Sequence, residues 1–171
     1  MEFEKVQSLR KSIRSYTKEA VSEEDRKALI HAALTASVGK HNDKGYVIVS
    51  VTDRKVLEKI STEGGEKLGR PHLIYEAPLL FLICRTKDAF EYLEDFDAGI
   101  IAEHIHLKAT ELGLGSIILF GFVRHLGAEA DYLKMLSLPE GVTPLLGVAV
   151  GHSRLADTPR KEDRHFEVIE R

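Results

Sequence analysis

The sequence predicts an α+β protein in which helices surround a small sheet and one long helix runs through the middle. Three observations carry that prediction. Apolar runs of strand length, three of them rich in Val and Ile, recur at 46–51, 78–85, 114–121 and 142–151. Segments with helical spacing separate them, so helix outweighs strand in length. The segment 90–113 is apolar almost all round, which marks a helix covered on most of its sides.

"FEKVQSLRKS" reads as a short helix, with Phe3, Val6 and Leu9 spaced by three. "VSEEDRKALIHAALTAS" is a stronger one. Ser22 is its candidate N-cap, Asp25 completes a capping box with a shortened acid, and Glu23 and Glu24 suit the positive end of the dipole. Leu29, Ala32, Ala33 and Ala36 then form one apolar face. "YVIVSV" is a strand bounded by Gly45 and Asp53, and "DRKVLEKIST" a short helix ended by Gly64-Gly65. "PLLFLICR" is continuously apolar, as a strand covered on both faces must be. After the long helix come the strand "LGSIILFG", a helix interrupted or started near Gly127, and the strand "VTPLLGVAVG". The tail "HSRLADTPRKEDRHFEVIER" is too polar for the core, but its alternating "HFEVIE" suits a strand added to a partner's sheet edge.

The chain has 171 residues, with no internal repeat and no linker rich in Gly, Pro or Ser, so residues 1–171 are expected to form a single domain. Its net charge of −3 lacks the basic footprint of a nucleic-acid binder. No apolar run approaches the roughly 20 residues of a membrane helix, and the N-terminus lacks a signal-peptide core. The single Cys84, inside an apolar strand, reads as a small buried hydrophobe rather than a nucleophile. These features favour a cytoplasmic protein.

Against that acidic background, "SLRKSIRSYT" gathers Arg10, Lys11 and Arg14 with the hydroxyls of Ser12, Ser15 and Tyr16. Arginine offers paired planar N–H groups, lysine a compact charge and serine a short donor, the set a phosphomonoester requires. Arg10, Ser12 and Arg14 are two apart, so they share a side only if the backbone there is extended. The first helix must then end near Arg10 or Lys11. The plain alternative is an exposed charged turn.

These pieces, in this order, resemble the FMN-dependent nitroreductase family over nearly the whole chain. Arg10, Ser12, Arg14 and Tyr16 match its R-x-S-x-R-x-aromatic opening. "ASVGKHNDKGYVIV" stands at its flavin loop, and "EAPLLFLI" supplies its Ala-Pro before a strand. "DAGIIAEHIHLKATELGLGS" is its Asp-headed helix ending in Gly-Leu-Gly, followed by "LFGF" and a late "GVAVG". The resemblance implies a small, mostly antiparallel sheet surrounded by helices, a long central helix and a C-terminal extension reaching the partner subunit of a homodimer. It implies FMN as cofactor, NAD(P)H as transient reductant, and a nitroaromatic, quinone or similar small molecule as electron acceptor. It assigns Arg10, Ser12 and Arg14 to the phosphate and ribityl chain, with Lys11 met there through its backbone, and Ser37 and Asn42 to the ring edge and ribityl hydroxyls. Lys40 would bring positive charge to the flavin N1/C2-carbonyl end. The backbone of Phe120 and Gly121 would face flavin N5, with the Phe120 ring more at home in the core. Arg160 or Lys161 would return to the phosphate.

The chain departs from the family at the 36–44 loop, where Lys40 replaces the usual Asn, Asn42 the usual Gln, and Asp43-Lys44 a Pro-Trp pair. That loop favours a second reading: a nitroreductase-like flavin-binding or regulatory module with weak or no catalysis. Asp97, His104 and Lys108 form a polar stripe on the long helix, read as hydrogen bonding across the dimer. Metal binding by "EHIH" is disfavoured, because His104 and His106 lie on opposed helix sides. No G-x-G-x-x-G follows a strand, so a nicotinamide would stack transiently on the flavin rather than occupy a domain of its own.

Overall fold

A computed structural model describes residues 1–160 and 166–171. Its helices are α1 (Phe3–Leu9), α2 (Glu23–Leu34), α3 (Arg54–Leu68), α4 (Glu94–Glu111), α5 (Gly121–Leu126) and α6 (Asp131–Met135). Its strands are β1 (Tyr46–Val51), β2 (Leu79–Arg85), β3 (Gly115–Leu119) and β4 (Thr143–Gly151). They form one sheet in the order β1-β2-β4-β3, every neighbour antiparallel.

The central strands are the continuously apolar ones. Leu79 to Cys84 of β2 are all fully buried, as a strand covered on both faces requires. Alternate residues feed two cores. Leu80, Leu82, Cys84 and Ala149 join Val56 and Ile60 of α3, Phe122 of α5 and Tyr132 of α6. Leu79, Phe81, Ile83 and Val148 join Leu29 of α2 and Ile101 and Ile105 of α4. Burial pushes the Cys84 thiol up to about 12, so it behaves as the small hydrophobe its sequence context suggested.

Helix ends follow local chemistry. Ser22 Oγ accepts from the Asp25 amide at 3.0 Å and lies 2.7 Å from the Asp25 carboxylate, the expected cap. Asp53 caps α3 in the same way through the Lys55 amide. The far end of α3 differs from expectation. The helix runs through Gly64-Gly65 and stops at Gly69, whose φ is 62°. Gly64 serves close packing instead: a Cβ there would meet the Arg70 carbonyl and Leu73 Cδ1 at 2.5 Å. Helix α1 ends at Leu9 with Arg10 as its C-cap, leaving the basic segment outside the helix. That segment then follows the edge strand. Ser12 bridges Ser116 of β3, the Ile13 amide donates to the Ser116 carbonyl at 2.9 Å, and the Thr17 amide donates to His152 O at 2.8 Å. No helix among the described residues is long and apolar enough to cross a membrane.

Candidate functional site

The extended run after α1 opens the site. Its side chains meet both the core and the C-terminal segment. Arg10 is mostly covered; its Nη1 donates to His106 Nε2 at 3.1 Å and its Nε lies 3.6 Å from Glu103 Oε1. The Lys11 ammonium donates to the Thr158 carbonyl and hydroxyl. The Arg160 amide donates to Ser8 O at 3.1 Å, so the tail returns to the end of α1. Ser12 and Arg14 are exposed along this face. Two chain segments distant in sequence thus bring Arg10, Lys11, Ser12 and the Arg160 backbone together. Lys161 lies outside the described residues.

A second set of candidates occupies the loop between α2 and β1. Ser37 is exposed. The left-handed residues here are Lys40 (φ 55°) and His41 (φ 53°) rather than Gly39. Gly39 is needed for contact: its Cβ would meet Leu93 Cδ1 at 2.5 Å, and its amide donates to Asp97 Oδ1 at 2.9 Å. The Lys40 ammonium lies over two rings, 4.9 Å from the Phe90 centroid and 5.4 Å from that of Tyr92. The Asn42 amide donates to Asp88 O at 2.7 Å.

The third set ends β3. Gly121 is the first residue of α5, so its amide and that of Phe120 lack a carbonyl one turn earlier in the helix. The Phe120 ring does not enter the core. It is 46% exposed, with the Arg124 guanidinium 5.4 Å above it. From Ser116, which pairs with Ser12, to Gly121 is five residues, no more than about 17 Å of extended chain. A cleft of about 340 Å³ opens beside Phe120, between Arg124, Tyr132, Glu94 and Leu145. A larger groove of about 840 Å³ lies near Tyr16, Lys18, Arg54 and His72. Arg10, Lys11, Ser12 and Arg14 line neither.

Residues 8–152 match the nitroreductase family. The chain belongs to the nitroreductase family. Its sequence is 34% identical over 172 aligned residues to a protein described as FMN reductase [NAD(P)H] from Bacillus subtilis (strain 168), covering 88% of this chain and 66% of that one. It therefore spans a little under two thirds of that relative's length. Among solved structures, a nitroreductase with bound FMN from Desulfitobacterium hafniense DCB-2 superposes with a TM-score of 0.83 at 25% identity, covering 99% of this chain and 100% of the other. A second, a nitroreductase with bound FMN from Bacteroides fragilis NCTC 9343, gives 0.82 at 19% identity, with 99% and 100% coverage, and supports the fold alone.

In this nitroreductase-family chain the long helix does more than the sequence reading allowed. The polar stripe of α4 finds partners within the chain. Asp97, buried, accepts from the Gly39 amide and from the Tyr46 hydroxyl at 2.7 Å. His104 Nδ1 lies 3.3 Å from Ala32 O, and Lys108 pairs with Glu111. His106 and Ser116, 2.5 Å apart through Nδ1 and Oγ, are the polar pair that pattern reasoning missed. The available signals were a histidine between Ile105 and Leu107 and a serine at the head of an otherwise apolar strand.

Proposed function

We propose that the chain, as one domain, is an FMN-dependent oxidoreductase that works as a homodimer. It would take hydride from NAD(P)H and deliver electrons to a small acceptor such as a nitroaromatic or a quinone. The observation that carries this reading is the convergence of Arg10, Lys11 and Ser12 with the Thr158–Arg160 segment beside β3. Positive charge and short donors from two segments suit a phosphate monoester. The family membership and the FMN-bound relatives point the same way.

FMN, when bound, supplies the redox centre; the protein supplies binding, orientation and access. Arg10 and Arg14 would grip the phosphate with Ser12 as a further donor, and Arg160 or Lys161 would add charge from the tail. Ser37, Lys40 and Asn42 would serve the ring and ribityl chain. The Gly121 amide, with that of Phe120, would donate at flavin N5. Neither of the two cavities described above is lined by the phosphate cluster, in keeping with a flavin seated between two chains. The exposed Phe96 and Ile100 on α4 and Leu34 at the end of α2 offer the apolar face such a pair would bury.

A second reading, a flavin-binding or regulatory module with little or no turnover, draws on one observation. Lys40 and Asn42 are already engaged, by Phe90 and Tyr92 and by the Asp88 carbonyl. Anaerobic addition of NADH or NADPH to the yellow purified protein separates the two. Bleaching of the flavin band followed by recolouring with a quinone supports the oxidoreductase. A flavin that neither nicotinamide bleaches supports the module.

A further inference from the structure

His106 is 1% exposed, deep in the face of α4 that meets β3, and its two ring nitrogens have different partners. An arginine guanidinium can only donate, so the Nε2 facing Arg10 Nη1 at 3.1 Å must be the acceptor. The proton then resides on Nδ1, which donates to Ser116 Oγ at 2.5 Å. Burial, helped by the neighbouring Arg10 charge, pulls the His106 pKa down to about 4 and keeps the ring neutral, as an acceptor for a cation must be.

Ser116 links this ring to the rest of the candidate phosphate site. Its carbonyl accepts from the Ile13 amide and its backbone bridges Ser12. On the opposite flank, Glu103 approaches Arg10 Nε at 3.6 Å. With Nη1 on His106 and Nε beside Glu103, the Nη2 edge is the part of the guanidinium left to meet an anion.

The geometry points to His106 as a positioning residue: through the Ser116–His106–Arg10 chain it fixes the Arg10 guanidinium and so makes the site prefer a phosphorylated flavin to an unphosphorylated one. This rests on the flavin reading of the site. A long, flexible arginine that must order itself on binding loses rotamer entropy that a pre-oriented one has already lost. His106 removes that cost for the phosphate alone, because riboflavin gives Arg10 nothing to bind.

The test compares two amides. Gln at position 106 can put a carbonyl where Nε2 now lies and keep an acceptor for Arg10. Asn reaches only the Nδ1 position, keeping the partner of Ser116 and losing that of Arg10. Flavin-stripped wild type, His106→Gln and His106→Asn are each titrated with FMN and with riboflavin, following flavin fluorescence, with melting curves recorded alongside. Wild type and His106→Gln should share a strong preference for FMN. In His106→Asn, FMN affinity should fall by about tenfold or more, the worth of one charge-assisted hydrogen bond, while riboflavin affinity stays within about twofold. A merely structural role would weaken both flavins together. An unchanged FMN-to-riboflavin ratio in a folded His106→Asn protein overturns the inference and leaves the oxidoreductase reading standing. If that variant does not fold, Ser116→Ala carries the same comparison, since it removes the acceptor that holds the tautomer. Wild type that binds neither flavin overturns the parent reading, and this inference with it.

Discussion

Glu63 shows how much one buried side chain can organise. It is fully buried on α3, yet its carboxylate accepts from the Asp131 and Tyr132 amides and from Lys67, each at 2.8 Å. Burial alone would raise its pKa; the hydrogen bonds from Lys67 and the two amides outweigh it and hold the carboxyl below its ordinary value. A depressed folded pKa means stability that is present above the ordinary carboxyl range and lost as pH falls through the folded value. Glu63→Gln should therefore cost about 1–3 kcal/mol near neutral pH. The gap between wild type and variant should narrow in melts taken at pH values falling below the ordinary carboxyl range; a gap constant with pH would contradict this account. Residue-scale roles were the least legible part of the sequence. Asp97 stood out as a polar group on an apolar helix, but helical spacing cannot say whether its partner lies in the same chain. Gly39 and Tyr46 turn out to be that partner. Phe120 was expected in the core because "IILFGF" is uniformly apolar, whereas its ring lies outside, past the end of β3, against Arg124.

Elements were read well wherever pattern and packing agree. The four strands are where strand-length apolar runs placed them, most plainly β2, which is covered on both faces and apolar from Leu79 to Cys84. The end of α1, expected near Arg10 or Lys11 and found at Leu9 with Arg10 as C-cap, was legible through chemistry rather than propensity: Arg10, Ser12 and Arg14 can share a side only outside a helix. The end of α3 was not. Two adjacent glycines look like a stop signal, but one is present for close approach and the helix passes through both. This distinction is measurable. Gly64→Ala forces a methyl into the Arg70 carbonyl and Leu73, and should destabilise by about 1–3 kcal/mol. Gly65→Ala meets only Pro71 atoms at 3.5 Å and beyond, in a helix interior. It should instead stabilise by about 0.5–1 kcal/mol. Chemical denaturation of the pair decides it: equal effects would show that the glycines end the helix rather than pack within it.

At the scale of the whole molecule, α4 links the separate parts. Asp97 holds the 37–42 loop and His106 holds Arg10, nine residues on and so about 14 Å along the helix axis. One rigid element therefore sets the spacing between the two segments assigned to opposite parts of FMN. The same helix was expected to be covered on most of its sides, and Phe96, 71% exposed, and Ile100, 39% exposed, mark the side left open in the single chain. On the homodimer reading that face is buried by a second copy. Ile100→Glu combined with Phe96→Glu should then halve the mass measured by light scattering and release flavin. A monomeric wild type that still retains flavin would remove the dimer from the account.

The central claim is that the basic segment after α1 grips the phosphate of a flavin. A crystal structure of the protein grown in excess FMN tests it most directly. The account predicts a phosphate within hydrogen-bonding reach of Arg10, Ser12 and Arg14, with the flavin ring directed towards Gly121. FMN density elsewhere, with those guanidinium groups turned to solvent, would contradict it.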